Sequence, residues 1–301
     1  MRRLFVVLAA LAVLVAAGWV LVITVSAGLP PVGDLSRRAP AETSLMRARA
    51  REAREEGQPV RVEQHWVAYE RISPLLRRAV LIAEDDAFYD HGGLDWNEMR
   101  ASARANVSRG RVIRGGSTIT QQLAKNLYLG EERTLTRKLK EALLAVRLER
   151  ALTKRRIFEL YLNLIEWGPG VYGAEAAARH WFGRPASALS PREAALLAAI
   201  IINPRKYSPL DPARRIQKRA KMILSRMHRR GFLNDVQYAE ALGLPLPSPS
   251  PAPAESVFAG APSDSAAPPG STTASPAMPE PTPESAPALP DTTPVSPPAA
   301  P

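Results

Sequence analysis

The sequence predicts an almost wholly helical domain hung from a single apolar N-terminal helix. Three observations lead there. The stretch from Leu4 to Ala27 holds no charged residue and is long enough to cross a bilayer as a helix. Between residues 64 and 244 apolar positions recur at spacings of three and four, and no strand-like alternation of any length interrupts them. Cysteine is absent, so no disulfide or thiolate metal site can replace a core, and the 64–244 segment is long enough to bury one.

The chain divides into residues 1–3, a membrane helix over 4–27, a stalk over 28–63, the folded domain over 64–244 and a tail over 245–301. Arg2 and Arg3 hold the start of the apolar helix in the cytoplasm. Val25-Ser26-Ala27 also reads as a small-residue cleavage site, but the apolar run exceeds the usual 7–15 residues of a secretory signal, which favours a retained anchor. On either reading the rest of the chain is exported. The tail holds 18 of the 29 prolines and five charges, all acidic, so disorder is expected there. Setting those five acids aside from the net charge of +11 leaves +16 on residues 1–244. Such an excess points to an anionic partner, lipid headgroups or phosphates; export and tethering argue against nucleic acid.

In the stalk, Thr43 to Glu56 is rich in helix formers and ends at Gly57, which predicts a short helix solvated on most faces. From Ser73, Leu75, Leu76, Ala79, Val80, Ile82 and Ala83 mark a core helix expected to stop near His91-Gly92-Gly93. Glu84 lies on it, with Val80, Leu81, Ala87 and Phe88 one turn away and no cation at that spacing. A carboxylate among apolar groups suggests chemistry; the alternative is that Glu84 faces water or meets a distant arginine. Asp85 shares that ambiguity. Next, Arg100, Arg104, Arg109, Arg111 and Arg114 alternate with small residues, either a solvated basic helix or a flap at the bilayer surface, where each cation contributes about 1 kcal/mol.

Thr118 with Gln121 three residues later forms a capping box, so a helix begins there and runs to about Leu129. Gly115 and Gly116 allow close approach to its start, where exposed amides and the helix dipole favour phosphate. Gly116 stands where a nucleotide loop needs its lysine, which excludes that reading. Gln121, Gln122 and Lys125, at spacings of three and four with Arg133 just beyond, would share a face and clamp a diphosphate. Leu135 to Ala151 reads as a helix with Leu135, Leu139, Ala142, Leu143 and Val146 facing the core and Glu141 beside that stripe. Arg137 and Lys138 precede Glu141 by one turn, and an Arg137–Glu141 surface pair worth about 0.3–0.5 kcal/mol would also account for both. A helix to about Asn163, a turn through Gly168, Pro169 and Gly170, a helix from Tyr172 and another capped by Ser190 with Pro191 at its first position complete the pattern.

Five segments in order, "AEDDAFYDHGGLDW", "RGGSTITQQLAKNLYL", "RKLKEALLA", "KRRIFELYLN" and "GPGVYGAEAAARHWFG", make residues 64–215 resemble the monofunctional biosynthetic peptidoglycan glycosyltransferases. The same domain forms the first half of bifunctional penicillin-binding proteins. The resemblance implies an all-α, lysozyme-like fold, a helical head with a small membrane-proximal jaw, acting on lipid II, a disaccharide pentapeptide on a polyprenyl pyrophosphate. It implies that Glu84 deprotonates the acceptor sugar's 4-hydroxyl and that Glu141 assists pyrophosphate departure, directly or through a divalent ion. Lys125 and Arg133 correspond to cations near the pyrophosphate, and Ser117, Gln121 and Gln122 to donor-site residues. Asp85, Phe88, His91, Gly115, Gly116, Asn126, Arg137, Lys138, Lys154, Glu159 and Asn163 fill motif positions that support the site. No cofactor is required, with magnesium or manganese an optional aid. The partners implied are lipid II, the growing glycan chain, the bilayer and cell-wall synthesis or division proteins, with the domain on the outer face of a bacterial inner membrane. The closing motif departs from the family in reading "IIINPRKYSP", and no Ser-x-x-Lys follows Pro212, so transpeptidation is not expected.

Overall fold

The computed structural model describes residues 1–110, 116–130 and 134–246. Arg111, Arg114, Gly115, Arg133 and the proline-rich tail beyond residue 246, all assigned above, lie outside the described residues. Residues Met1–Pro249 form one compact unit.

Helix α1, Arg2–Ala27, buries none of its side chains and is long and apolar enough to span a membrane. It does not end in a loose stalk. Arg147 donates from Nη2 to the Ser26 carbonyl (2.5 Å) and hydroxyl (2.8 Å), and from Nη1 to the Leu29 carbonyl (3.3 Å). Leu29, Val32 and Leu35 are buried in the main core. Helix α2, Ser44–Glu55, capped by Thr43, corrects the expectation of a solvated stalk helix: Leu45, Met46 and Ala50 are buried. Their spacing of one, four and five is an apolar face too narrow to stand out among the arginines.

Helix α3, Pro74–Glu84, starts at a Ser73 cap with Pro74 in its first turn, where a missing N–H costs nothing. It stops at Glu84 rather than near Gly92. Asp85 turns extended (φ −163°, ψ 82°), and its carboxylate accepts from the Ile119 amide at 2.9 Å while facing His91 Nε2 at 3.0 Å. The tertiary hydrogen bond outweighs the helical periodicity that continues past this point.

Helix α4 spans Trp96–Ser108. Helix α5, Ile119–Tyr128, has both halves of the Thr118–Gln121 capping box. Helix α6, Leu135–Ala151, keeps the expected bounds but not the expected face: Glu141, Leu144, Ala145 and Leu148 are buried, while Leu135 is 91% exposed. The first turn of α6 extends past the core, leaving Leu135 exposed and Leu139 only half-buried, and the buried stripe is displaced by two positions. Glu141 therefore lies on the buried stripe, not beside it.

Helix α7 is Lys154–Leu164. Strands β1 (Glu63–Gln64), β2 (Glu166–Gly168) and β3 (Val171–Tyr172) form a small sheet in the order β1-β3-β2, parallel for β1–β3 and antiparallel for β2–β3. The expected turn through Gly168–Gly170 is thus a tiny hairpin. Strands of two or three residues are too short for alternation to reveal. Helix α8, Ala174–Phe182, follows Gly173, whose φ of +85° and 2.7 Å approach of a built Cβ to the Asn163 carbonyl exclude a side chain.

Helix α9, Pro191–Ile200, is buried at every position from Ala194 to Ile200, the behaviour of a central helix apolar all round. Against it pack α3 and helix α10, Arg214–Arg229, with helix α11, Asp235–Leu242, closing over α9 and α10. On the other side α5 rests on α6 and α7. Among the described residues the fold is a helical domain with one minor sheet, as the sequence predicts.

Candidate active site

The C-terminus of α3, the start of α5 and one face of α10 surround a cavity of about 900 Å³. Glu84 projects into it, 11% exposed. Its Oε2 accepts from Gln122 Nε2 at 2.9 Å and its Oε1 from Arg219 Nη2 at 2.7 Å. Gln122 is held in turn, because the buried Tyr161 hydroxyl donates to its Oε1 at 3.0 Å. Burial raises the Glu84 carboxyl above the usual carboxylate range; Arg219 and Gln122 oppose that shift, and burial prevails. The Tyr161 phenol is pushed well above its ordinary value by burial and by Glu84. Of the two readings of the sequence, the distant arginine is the one met: the half-buried Glu84 pairs with Arg219 in a cavity lined mostly by polar and charged residues.

Asp85 and His91 support the site. Asp85 ties the end of α3 to the first amide of α5, and Thr118 Oγ1 donates to the Gly93 carbonyl at 2.6 Å. Phe88 is fully buried and Lys154 Nζ lies 4.3 Å from its ring centroid. Lys154 and Thr120 both donate to Glu149 Oε1, at 2.8 and 2.6 Å. Glu159 accepts from the Tyr69 amide, and Asn163 exchanges hydrogen bonds with the Val67 backbone. These residues brace α7 against the segment that leads into α3.

Gln121 does not line the cavity. It is 1% exposed and its Oε1 accepts from the Thr118 amide at 3.0 Å. Adjacent positions on a helix point about 100° apart, so the spacing that pairs each glutamine with Lys125 cannot put both on one face. Gln122 lines the large cavity and also a second one of about 370 Å³, together with Lys125 and Asn126. Lys125 lines only this second cavity and not that of Glu84; Gln122 is the residue common to both.

Glu141 lies outside the lining of the large cavity. Arg137 Nη1 donates to its Oε2 at 2.9 Å, and Lys138 donates both to its Oε1 and, at 2.7 Å, to Ser117 Oγ, which does line the cavity with Gly116. A carboxylate whose two oxygens each face a cation is a poor partner for a divalent ion, so this donor set does not fit a metal at Glu141. The only group of metal-type side chains among the described residues is Asp85, His91 and Asp95, with donor atoms within 4.8 Å of one another. Asp85 already accepts from Ile119 and faces His91, and Asp95 caps α4 by accepting from the Glu98 amide at 2.8 Å.

Sequence reasoning missed Arg219, as it missed the other arginines of α10 that line the cavity, Arg215, Arg226 and Arg229, and Arg230 just beyond the helix. A signal was present: steps of four, seven and three from Arg215 place these side chains on one face, opposite the buried Ile216, Ala220, Ile223, Leu224 and Met227. It passed as part of the general positive charge.

A largely enclosed carboxylate with a raised pKa, set among hydrogen-bond donors and cations in a cavity of a helical domain, is the arrangement expected of an enzyme active site. A family model described as Transglycosylase matches residues 52–228. The chain belongs to this transglycosylase family. Among its relatives, the "Biosynthetic peptidoglycan transglycosylase" of Dechloromonas aromatica is 46% identical over 188 residues, covering 62% of this chain and 81% of the relative. Those of Azoarcus sp. and Methylobacillus flagellatus are 51% identical over 168 residues and 47% over 188, covering 56% and 62% of this chain and 73% and 82% of the relatives.

Proposed function

We propose that this protein is a peptidoglycan glycosyltransferase that polymerises lipid II into β-1,4-linked glycan strands and releases polyprenyl pyrophosphate. The observation that carries the mechanism is the Tyr161–Gln122–Glu84–Arg219 chain, which fixes the orientation of one half-buried carboxylate that is more basic than usual. The acceptor's 4-hydroxyl gives its proton to Glu84, whose oxygens retain lone pairs beside the two hydrogen bonds they accept. The 4-oxygen forms a bond to the donor's anomeric carbon as that carbon's bond to the pyrophosphate oxygen breaks, and the electron pair leaves with the diphosphate. The leaving group is already activated, so what it needs is positive charge.

Lys125, which lines the second cavity together with Gln122, supplies that charge, joined by Arg133 on the strength of the family resemblance. Preorganised donors of this kind are worth about 2.7–4 kcal/mol each. Glu141 acts by fixing Arg137 and Lys138, with Lys138 held against Ser117 at the cavity edge. Helix α1 spans the bacterial inner membrane with Arg2 and Arg3 inside and the catalytic domain outside, which confines enzyme and lipid substrate to one layer.

The test is to incubate the purified full chain with detergent-solubilised lipid II as sole substrate. Polymer that muramidase digests is the expected product. Absence of polymer with wild-type protein, or unchanged polymerisation by Glu84→Gln, overturns the assignment. Penicillin labelling is expected to be absent.

A further inference from the structure

The arginine face of α10 exceeds what a single leaving group requires. Of the cavity's arginines, Arg219 is bound to Glu84, and Arg230 donates both guanidinium arms to Asp86. The side chains of Arg215, Arg226 and Arg229 have no hydrogen bond or ion pair among the described residues. Arg215 and Arg229 are exposed and Arg226 is half-buried. From Arg215 to Arg229 the helix rises about 21 Å at 1.5 Å per residue. That is far longer than a diphosphate and close to the span of an extended peptide of five residues, about 17 Å.

Resting on the transglycosylase reading above, we propose that Arg215, Arg226 and Arg229 form a binding track for the carboxylates of the substrate's peptide stem. The track runs along the cavity wall that also holds Glu84. A short peptide attached through its N-terminus keeps a free C-terminal carboxylate and any acidic side chains. Guanidinium forks spaced along a helix face match such groups one at a time. A flat anionic bilayer fits less well, because the row lines a concave cavity that a planar surface cannot enter. The track is therefore a specificity device, favouring acceptors or donors with charged stems.

The experiment compares two lipid II preparations that differ only in the stem, one with free carboxylates and one with every stem carboxylate amidated. Each is polymerised by wild-type protein and by the triple variant Arg215→Gln/Arg226→Gln/Arg229→Gln, its helicity checked by circular dichroism. Exposed ion pairs of this type are expected to give wild type about a tenfold preference in kcat/KM for the charged stem, carried by KM. The triple variant should bring the ratio to about one, and Arg229→Gln alone, at an exposed position that folding does not need, should lower it by about twofold. A wild-type ratio near one overturns the proposal, as does an unaltered ratio in both variants. Equal losses on both substrates would mean that the arginines hold a group common to the two, such as the diphosphate, and would also overturn it. So would weaker binding to anionic phosphatidylglycerol vesicles with the stem preference intact. Failure of wild type to polymerise either preparation would instead count against the transglycosylase reading itself.

Discussion

Two glutamates, the half-buried Glu84 and the buried Glu141, sit in opposite electrostatic settings. Glu141 meets cations from its own helix, at i−4 and i−3, so its charge is balanced by local neighbours. Glu84 has no such neighbours; its single cation comes from α10, 135 residues away in sequence, and burial still raises its pKa. On the proposed mechanism the difference separates their roles: a carboxylate paired with two cations of its own helix organises those cations, whereas one held by a single distant arginine, its pKa raised by burial, takes the proton.

The strongest way to break this comparison is to neutralise each glutamate in turn. Glu84→Gln keeps the shape and the contact with Gln122 but cannot accept a proton, so polymerisation should fall by about 10²- to 10⁴-fold, with far-ultraviolet circular dichroism unchanged. Glu141→Gln should cost less, about 10²-fold at most, by loosening Lys138 and Arg137. If the two losses were reversed in size, Glu141 would be the proton acceptor and the assignment would fail.

A pH profile sharpens the comparison further. Glu84 must be ionised to act, so kcat/KM should rise with pH through a limb set above the ordinary carboxylate range. Arg219→Gln removes the cation that favours the ionised form, which raises the pKa again and moves that limb to still higher pH. Arg137→Gln, altering the other glutamate's partner, should leave the limb in place. The smallest effect belongs to Tyr161→Phe: losing its hydroxyl from Gln122 should destabilise the fold by about 0.5–1.5 kcal/mol in chemical denaturation, with a several-fold loss of rate as Gln122 becomes free to turn.

Local features of the site were legible early because they rest on local chemistry. The Thr118–Gln121 box, the Ser190 cap with Pro191, and the bounds of α6 each follow from a few adjacent residues. Errors arose where a distant partner decided. Asp85 ended α3 early because its carboxylate found the Ile119 amide. The buried face of α6 shifted because its first turn extends past the core and leaves Leu135 exposed. Gln121 and Gln122, expected together on one face of the donor site, part company because the cap claims Gln121 and Glu84 claims Gln122.

The sequence by itself determined the membrane-length helix, the helical class and the two glutamates worth watching, since periodicity, capping and apolar length are properties of neighbouring residues. Only the tertiary structure decided which of those glutamates draws its cation from a distant helix, one whose arginines looked like ordinary surface charge. The physical reason is that a carboxyl's proton affinity depends on burial and on charges within a few ångströms, and chain folding, not sequence distance, sets both.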